Sequence, residues 1–408
     1  MSIQVFSEIG KLKTVLLHRP GKELENLTPS ILHRLLFDDI PYLKIALEEH
    51  NAFANILRDE GVEVLYLTDL IVQTLKARPD VISRFIDRFI SDAKIQSKTV
   101  QSSLKEYLEQ LDIDEMVLSM IAGIRTNAFA INKVSMMDFL QDEYPFYTDP
   151  MPNILFQRDP FASIGQGVSL HHMSTHARQR ETIFPEYIFK YHPRFQEEPV
   201  PMFYQPHDPY PLEGGDILVL NEETLAIGIS KRTDPRAIER MAKRLFNSNQ
   251  GFQTILAFNI PKIRAFMHLD TVFTQVDYDK FTVHRGILDT LTIFEITYDE
   301  QGLKIKKVRA TLQDILEKHL KRPITLIHCG GDDIVNSERE QWNDGANTLA
   351  IAPGKVIVYS RNHETNALLK KAGITVLEMP SSELSRGRGG PRCMSMPLIR
   401  EQLKENKK

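Results

Sequence analysis

A chain of 408 residues suits one large domain with an insertion better than several independent units. Its 50 Lys and Arg stand against 54 Asp and Glu, a formal charge of −4, so neither nucleic acid nor an anionic membrane is expected as the main partner. Apolar residues at 42% and charged residues at 25% are ordinary for a soluble protein. No apolar run approaches bilayer length, and the opening MSIQVFSEIGKLKTVLLHRP has no signal-peptide core. Two cysteines are too few for a disulfide framework or a zinc cluster, so a reducing cytoplasm with both thiols free is the expectation.

The first 70 residues mix strand and helix. KTVLLH reads as a short strand, PYLKIALEEHNAFANILRDEG as an amphipathic helix stopped at Gly61, and VEVLYL as the next strand. From about residue 71 the strand texture disappears. Val81, Phe85 and Phe89 recur at i, i+4, as do Leu104 and Leu108, which fits helices that bury one face. Residues 71–147 are therefore expected to form an inserted helical bundle, with 1–70 and 148–408 as the main α/β domain. Beyond the insert a strand–turn–helix unit recurs, in TLAIGISKRTDPRAIERMAKRLF, in KVIVYSRNHETNALLKKAG followed by ITVLEM, and more loosely in GVSLHHMSTHARQRETIFPEYIF. KTVLLHRPGKELENL near the start is a weaker copy. Such repetition fits a propeller-like or solenoid-like arrangement and equally a doubly wound sheet.

Cys393 lies in RGRGGPRCMSMP, where cations favour thiolate and glycines leave the thiol uncrowded. It is either a nucleophile or a small buried hydrophobe, and the second account fits Cys329 in ITLIHCGGDD better. A nucleophilic thiol needs a proton carrier. Of thirteen histidines, His268 in AFMHLDTVFTQV stands out, because on a strand it shares a face with Asp270. A satisfied His–Asp pair at a strand end is the alternative. LEGGD places Glu213 and Asp216 around two glycines, and NILFQRDPF places Asn153, Phe156 and Asp159 among apolar residues; a solvated turn and a local ion pair would explain each separately. One thiol, one histidine and several carboxylates suit a cationic, planar electrophile such as a guanidinium, which carboxylates bind bidentately. The metal-like fragments, His171–His172 and HLD, lack a full ligand set, so no metal is expected.

Several longer motifs, in order, resemble the bacterial arginine deiminase family of guanidino-modifying enzymes. They are SEIGKLKTVLLHRPG, PNILFQRDPF, MSTHARQRET, LEGGD, IGISKRT, MHLDTVFT, EQWNDGANTLAIAPG and ELSRGRGGPRCMSMPL. The resemblance implies a five-module α/β propeller with pseudo-fivefold symmetry and a helical insert. It implies hydrolysis of L-arginine to L-citrulline and ammonia through a covalent cysteine intermediate, without cofactor, by homodimers or homotetramers. It makes Cys393 the nucleophile and His268 the acid/base, joined by Glu213 and Asp270. Asp159 holds the guanidinium, Arg178 and Arg232 receive the substrate carboxylate, Arg388 contacts the substrate or moves on binding, and Asn153 and Phe156 line the pocket. The alternatives are a silent arginine-binding or regulatory protein and a related agmatine or dimethylarginine hydrolase.

Overall fold

The computed structural model describes residues 3–140 and 144–403. Five sheets share one pattern, a first strand antiparallel to a second that runs parallel to a third. The second module has Phe161–Ile164, Gly167–Leu170 and Met202–Tyr204; the third has Ile217–Val219, Thr224–Ile229 and Thr254–Asn259. The fourth has Phe273–Gln275, Lys280–Val283 and Thr325–His328; the fifth has Leu349–Ala352, Lys355–Tyr359 and Thr375–Met379. In the first module the two ends of the chain meet. Leu12–Leu17 pairs in parallel with Glu63–Tyr66 and antiparallel with the last strand, Met396–Arg400. The fold is thus the five-module α/β propeller, closed by its own C-terminal strand, and the doubly wound sheet is ruled out.

A helix links the second and third strands of each module, which produces the strand–helix repeat in the sequence. The third module shows why it forms: Asp234 caps Pro235–Phe246 through Arg236 N–H, with proline at the first helical position. The repeat is hard to see in the fourth module because a hairpin, Thr292–Asp299 and Gly302–Val308, interrupts it before the helix Leu312–Leu320. That hairpin pairs with Thr254–Asn259 and extends the third module's sheet.

Helices Leu67–Ala77, Ile82–Asp92, Lys98–Gln110 and Ile113–Ala122 lie between the first and second modules. Their apolar faces are continuous with the second module's core. Phe85 meets Phe184 and Tyr187 edge-on, with centroids 5.9 and 5.0 Å away. Among the described residues no helix is long and apolar enough to cross a membrane.

Candidate active site

The turn leading into each module's first strand carries a polar side chain to one place. Asp159 stands before Phe161, Glu213 before the turn Gly214–Asp216, His268 before the turn Leu269–Thr271, Asn347 before Leu349 and Cys393 before Met396. Hydrogen bonds join these turns in a closed cycle. Arg158 N–H donates to the Cys393 carbonyl at 3.0 Å, and Gly214 N–H to the Asp159 carbonyl at 3.1 Å. Leu269 N–H donates to Asp216 Oδ1 at 2.8 Å, Asn347 Nδ2 to the Asp270 carbonyl at 3.1 Å, and Cys393 N–H to Asn347 Oδ1 at 3.0 Å. Groups far apart in the chain are therefore held by short backbone segments anchored in sheets, the kind of support that keeps a site preorganised.

His268 Nε2 is 2.8 Å from Glu213 Oε2, and its Nδ1 faces Asp159 Oδ1 at 3.8 Å. Burial disfavours the imidazolium, but Asp159, the Glu213 hydrogen bond and Asp216 outweigh it and hold the ring up to about 9. At neutral pH His268 is a protonated acid. Glu213 also accepts from Ser174 N–H and Oγ, at 2.9 and 2.8 Å. Despite burial, Arg232 and His268 keep Glu213 well below the usual carboxylate range.

The Cys393 sulfur, 3% exposed, lies 3.6 Å from Asp270 Oδ2 and accepts from Asn347 Nδ2 at 3.1 Å. Burial pushes the thiol well above its ordinary value; Asp270, Asp159 and Asp344 push it further, and Arg392 opposes them. Two carboxylate oxygens here, Asp159 Oδ1 and Asp270 Oδ1, are buried without a hydrogen-bond partner. Such atoms are costly unless something donates to them.

Ligand atoms of Asp159, Glu213 and His268 come within 4.8 Å of one another, close enough to hold a small cation. HLD looked too sparse in the sequence, and the carboxylates it lacked come from two other modules. Positive charge is nevertheless already present: Arg178 Nη1 bonds Asp159 at 2.5 Å, Arg232 Nη1 lies 3.7 Å from Glu213, and His268 is protonated. The unsatisfied oxygens can accept N–H donors, and a guanidinium supplies them.

The three arginines differ in what they have left to give. Arg178 commits Nε to Glu181, Nη2 to Glu181 and the Asn153 carbonyl, and one Nη1 donor to Asp159, so four of five N–H groups are taken. Arg232 Nη1 is buried and makes no hydrogen bond, although it lies within ion-pair distance of Glu213. Arg388 has no hydrogen bond on any guanidinium nitrogen. It stacks over Trp342 at 3.4 Å, with Asp38 Oδ2 3.7 Å away. Leu36 and Arg388, both with positive φ, line the same pocket as Cys393 and His268. The cavity is about 20 Å³, room for a water but not for an amino acid.

The Arginine deiminase family description matches residues 33–400. The protein of that name from Clostridium perfringens (strain SM101 / Type A) is 55% identical over 408 residues, covering 98% of this chain and 99% of its own. The one from Borrelia duttonii (strain Ly) is 54% identical over 404 residues, 98% of each. The chain belongs to the arginine deiminase family. Solved structures at lower identity share the fold: an amidinotransferase from Microseira wollei (TM-score 0.56, 14% identical, 98% of each chain) and the inosamine-phosphate amidinotransferase of Streptomyces griseus (TM-score 0.55, 14%, 99% of each).

Within this arginine deiminase fold, Asn153, Phe156, Asp159, Arg178, Arg232, His268, Arg388 and Cys393 all line the pocket. Glu213 and Asp270 stand just behind, one on the histidine and one on the sulfur. One local expectation fails. His268 and Asp270 are not on a strand: Leu269–Thr271 is a 3-10 turn, and the strand starts at Phe273. The glycines near the thiol allow close packing of the backbone. Gly387 and Gly389 lie against the Phe156 ring and Gly390 against Asn347, where a Cβ would collide. Sequence reasoning missed Arg392 and Asn347. Arg392 is 1% exposed and bonds Asp270 Oδ2 at 2.7 Å, Glu8 at 3.0 Å and the Ile217 carbonyl at 2.8 Å. Its adjacency to Cys393 was visible, but its partners lie more than a hundred residues away. Asp216 bonds Ser230 Oγ and Leu269 N–H and fixes the His268 turn from behind.

Proposed function

We propose that this chain hydrolyses free L-arginine to L-citrulline and ammonia, with Cys393 attacking the guanidinium carbon. The observation that carries this reading is the pair of unsatisfied buried oxygens, Asp159 Oδ1 and Asp270 Oδ1, beside a thiol and a protonated histidine. Guanidinium N–H groups bonded to these oxygens would place the central carbon near Sγ. The arriving cation lowers the thiol's pKa, so its proton leaves to solvent and the thiolate attacks. His268 then gives its proton to the departing nitrogen, ammonia leaves, and a covalent thiouronium remains. The now neutral imidazole takes a proton from water; the hydroxide adds to the carbon and the thiolate is expelled. Glu213 keeps His268 oriented and charged for the first half, and Asp159 binds the cation. Arg232 receives the α-carboxylate with Nη1, which makes no hydrogen bond in the free protein. Arg178 offers one remaining donor and chiefly holds Asp159 in place. Admitting an amino acid requires the lining of this small cavity to move, and Arg388, which lines it, has no guanidinium hydrogen bond to break.

No metal or organic cofactor has a part in this reading, which places the protein in the cytoplasm as a homodimer or homotetramer. It treats 71–147 as a helical insert into a propeller made by 1–70 and 148–408. Light scattering on the purified chain tests the assembly. Citrulline formation from arginine, compared between the wild type and Cys393→Ser, tests the function: equal rates would remove Cys393 from the chemistry.

A further inference from the structure

We propose that Asn347 is a further member of the site, fixing the Cys393 sulfur and stabilising the thiolate once it forms. The inference rests on the reading of Cys393 as the nucleophile. It starts from the fold: four lead-in turns supply the thiol, the histidine and the carboxylates, and Asn347 is what the fifth module contributes.

Asn347 is fully buried, and its three side-chain hydrogen bonds all go to the site. Cys393 N–H donates to its Oδ1 at 3.0 Å, which fixes which end of the amide is oxygen. Nδ2 must then face the sulfur, 3.1 Å away, while also donating to the Asp270 carbonyl at 3.1 Å. The side chain cannot flip without breaking all three bonds. Its own backbone N–H bonds the Asp344 carbonyl at 3.0 Å, and Gly390 packs on its side chain.

The other polar neighbour of the sulfur among the described residues is Asp270 Oδ2 at 3.6 Å, which can accept a thiol proton but repels a thiolate. The Asn347 amide behaves in the opposite way. Its N–H···S contact is weak with a neutral thiol and becomes charge-assisted with a thiolate. It is thus a neutral donor that favours the attacking form and returns when thiolate is expelled, without placing a permanent cation where the guanidinium must bind.

The test uses Asn347→Ala and Asn347→Asp, each in the otherwise intact chain, with two readouts. One is the pH dependence of Cys393 alkylation by iodoacetamide, followed by peptide mass. The other is kcat and KM for arginine. Loss of the donor should move the thiol titration up by roughly one pH unit and lower kcat by ~10²-fold, with KM little changed. Asn347→Asp should move the titration further than Asn347→Ala, because it sets a carboxylate on the sulfur. A packing role predicts the reverse order, since alanine leaves the larger cavity. If either variant fails to fold by circular dichroism, the wild-type chain labelled with ¹⁵N at asparagine decides: one side-chain amide signal should shift with the Cys393 titration and on its alkylation. An unmoved titration in both variants, or no amide signal that follows the thiol, overturns the proposal while Cys393→Ser stays inactive. An active Cys393→Ser would instead overturn the reading of the site itself.

Discussion

Cys329 and Cys393 have nearly the same burial and very different surroundings. Cys329, fully buried, directly follows the third strand of the fourth module and accepts from Thr365 Oγ1 at 3.5 Å. Burial pushes its thiol up to about 12, with Thr365 opposing and Glu340 and Asp344 adding to the rise. Cys393 is also raised, by burial and by Asp270, Asp159 and Asp344. At rest, then, neither thiol is reactive by acidity. Cys329 is packed against Gly345; of the two carboxylates that raise it, Glu340 is satisfied by Thr365 and the backbone of Glu364 and Thr365, whereas Asp344 makes no side-chain hydrogen bond, and among the described residues no amide donor or histidine bonds this sulfur. Cys393 stands beside carboxylate oxygens with nothing donating to them, an amide donor and a protonated histidine. On the proposed reading, reactivity at Cys393 lies in what the site can still bind, and an arriving cation completes it.

Serine at each position should separate the two thiols most widely. Cys393→Ser should fold and lose turnover by ~10⁴-fold or more, because a hydroxyl is a far weaker nucleophile. Cys329→Ser should keep its activity and instead lose about 1–3 kcal/mol of stability, from a hydroxyl in a thiol's apolar site. Ammonia release and urea melts of both variants check the contrast, and the reverse pattern would break it.

His268→Ala should lower turnover by ~10²–10⁴-fold, with hydrolysis stalled more than attack. Mass spectrometry of quenched enzyme should then find a covalent adduct with an activated substrate. Near-normal steady-state turnover would take His268 out of the mechanism.

The carboxylate contact is the next sharpening. Agmatine lacks the α-carboxylate, and leaving the buried Arg232 donor unpaired can reject such an analogue by ~10⁴-fold. Arg232→Leu should cut kcat/KM for arginine and narrow the arginine-to-agmatine ratio. Arg178→Leu should cost activity through Asp159 and narrow that ratio less. A ratio unchanged in both would move the carboxylate to Arg388.

The smallest expected effect is a shifted pH profile. His268 stays protonated to about 9 because carboxylates surround it. In the wild type kcat/KM should fall as pH rises through that value. Removing the Glu213 charge lowers the histidine's pKa, so the alkaline limb of Glu213→Gln should move to lower pH. A limb that stays in place would show that another group titrates there.

Much of this was legible in the sequence because the propeller repeats locally. The stretches 224–246 and 355–379 each contain a whole strand–helix unit, and the apolar periodicity of 81–89 and 104–108 marks buried helical faces. Cys393, His268, Glu213, Asp159 and Asp270 stood out as ionisable groups in semi-apolar settings. What could not be read is what joins the modules. The Arg392–Glu8 contact spans 384 residues and Asn347–Cys393 spans 46, and neither has a local period. The fourth module's repeat was hidden by a hairpin that belongs spatially to the third. His268 and Asp270 suggested a strand through their i, i+2 spacing, and a turn of 3-10 helix brings both to the site instead.

If the substrate cation makes the nucleophile, an ultraviolet titration of the Cys393 thiolate, taken as the difference between wild type and Cys393→Ala, will register it. The free enzyme at neutral pH should show almost no Cys393 thiolate, and a non-reactive guanidinium ligand should raise the signal sharply and shift the titration to lower pH. A full thiolate signal in the free enzyme, unchanged by the ligand, would contradict the account.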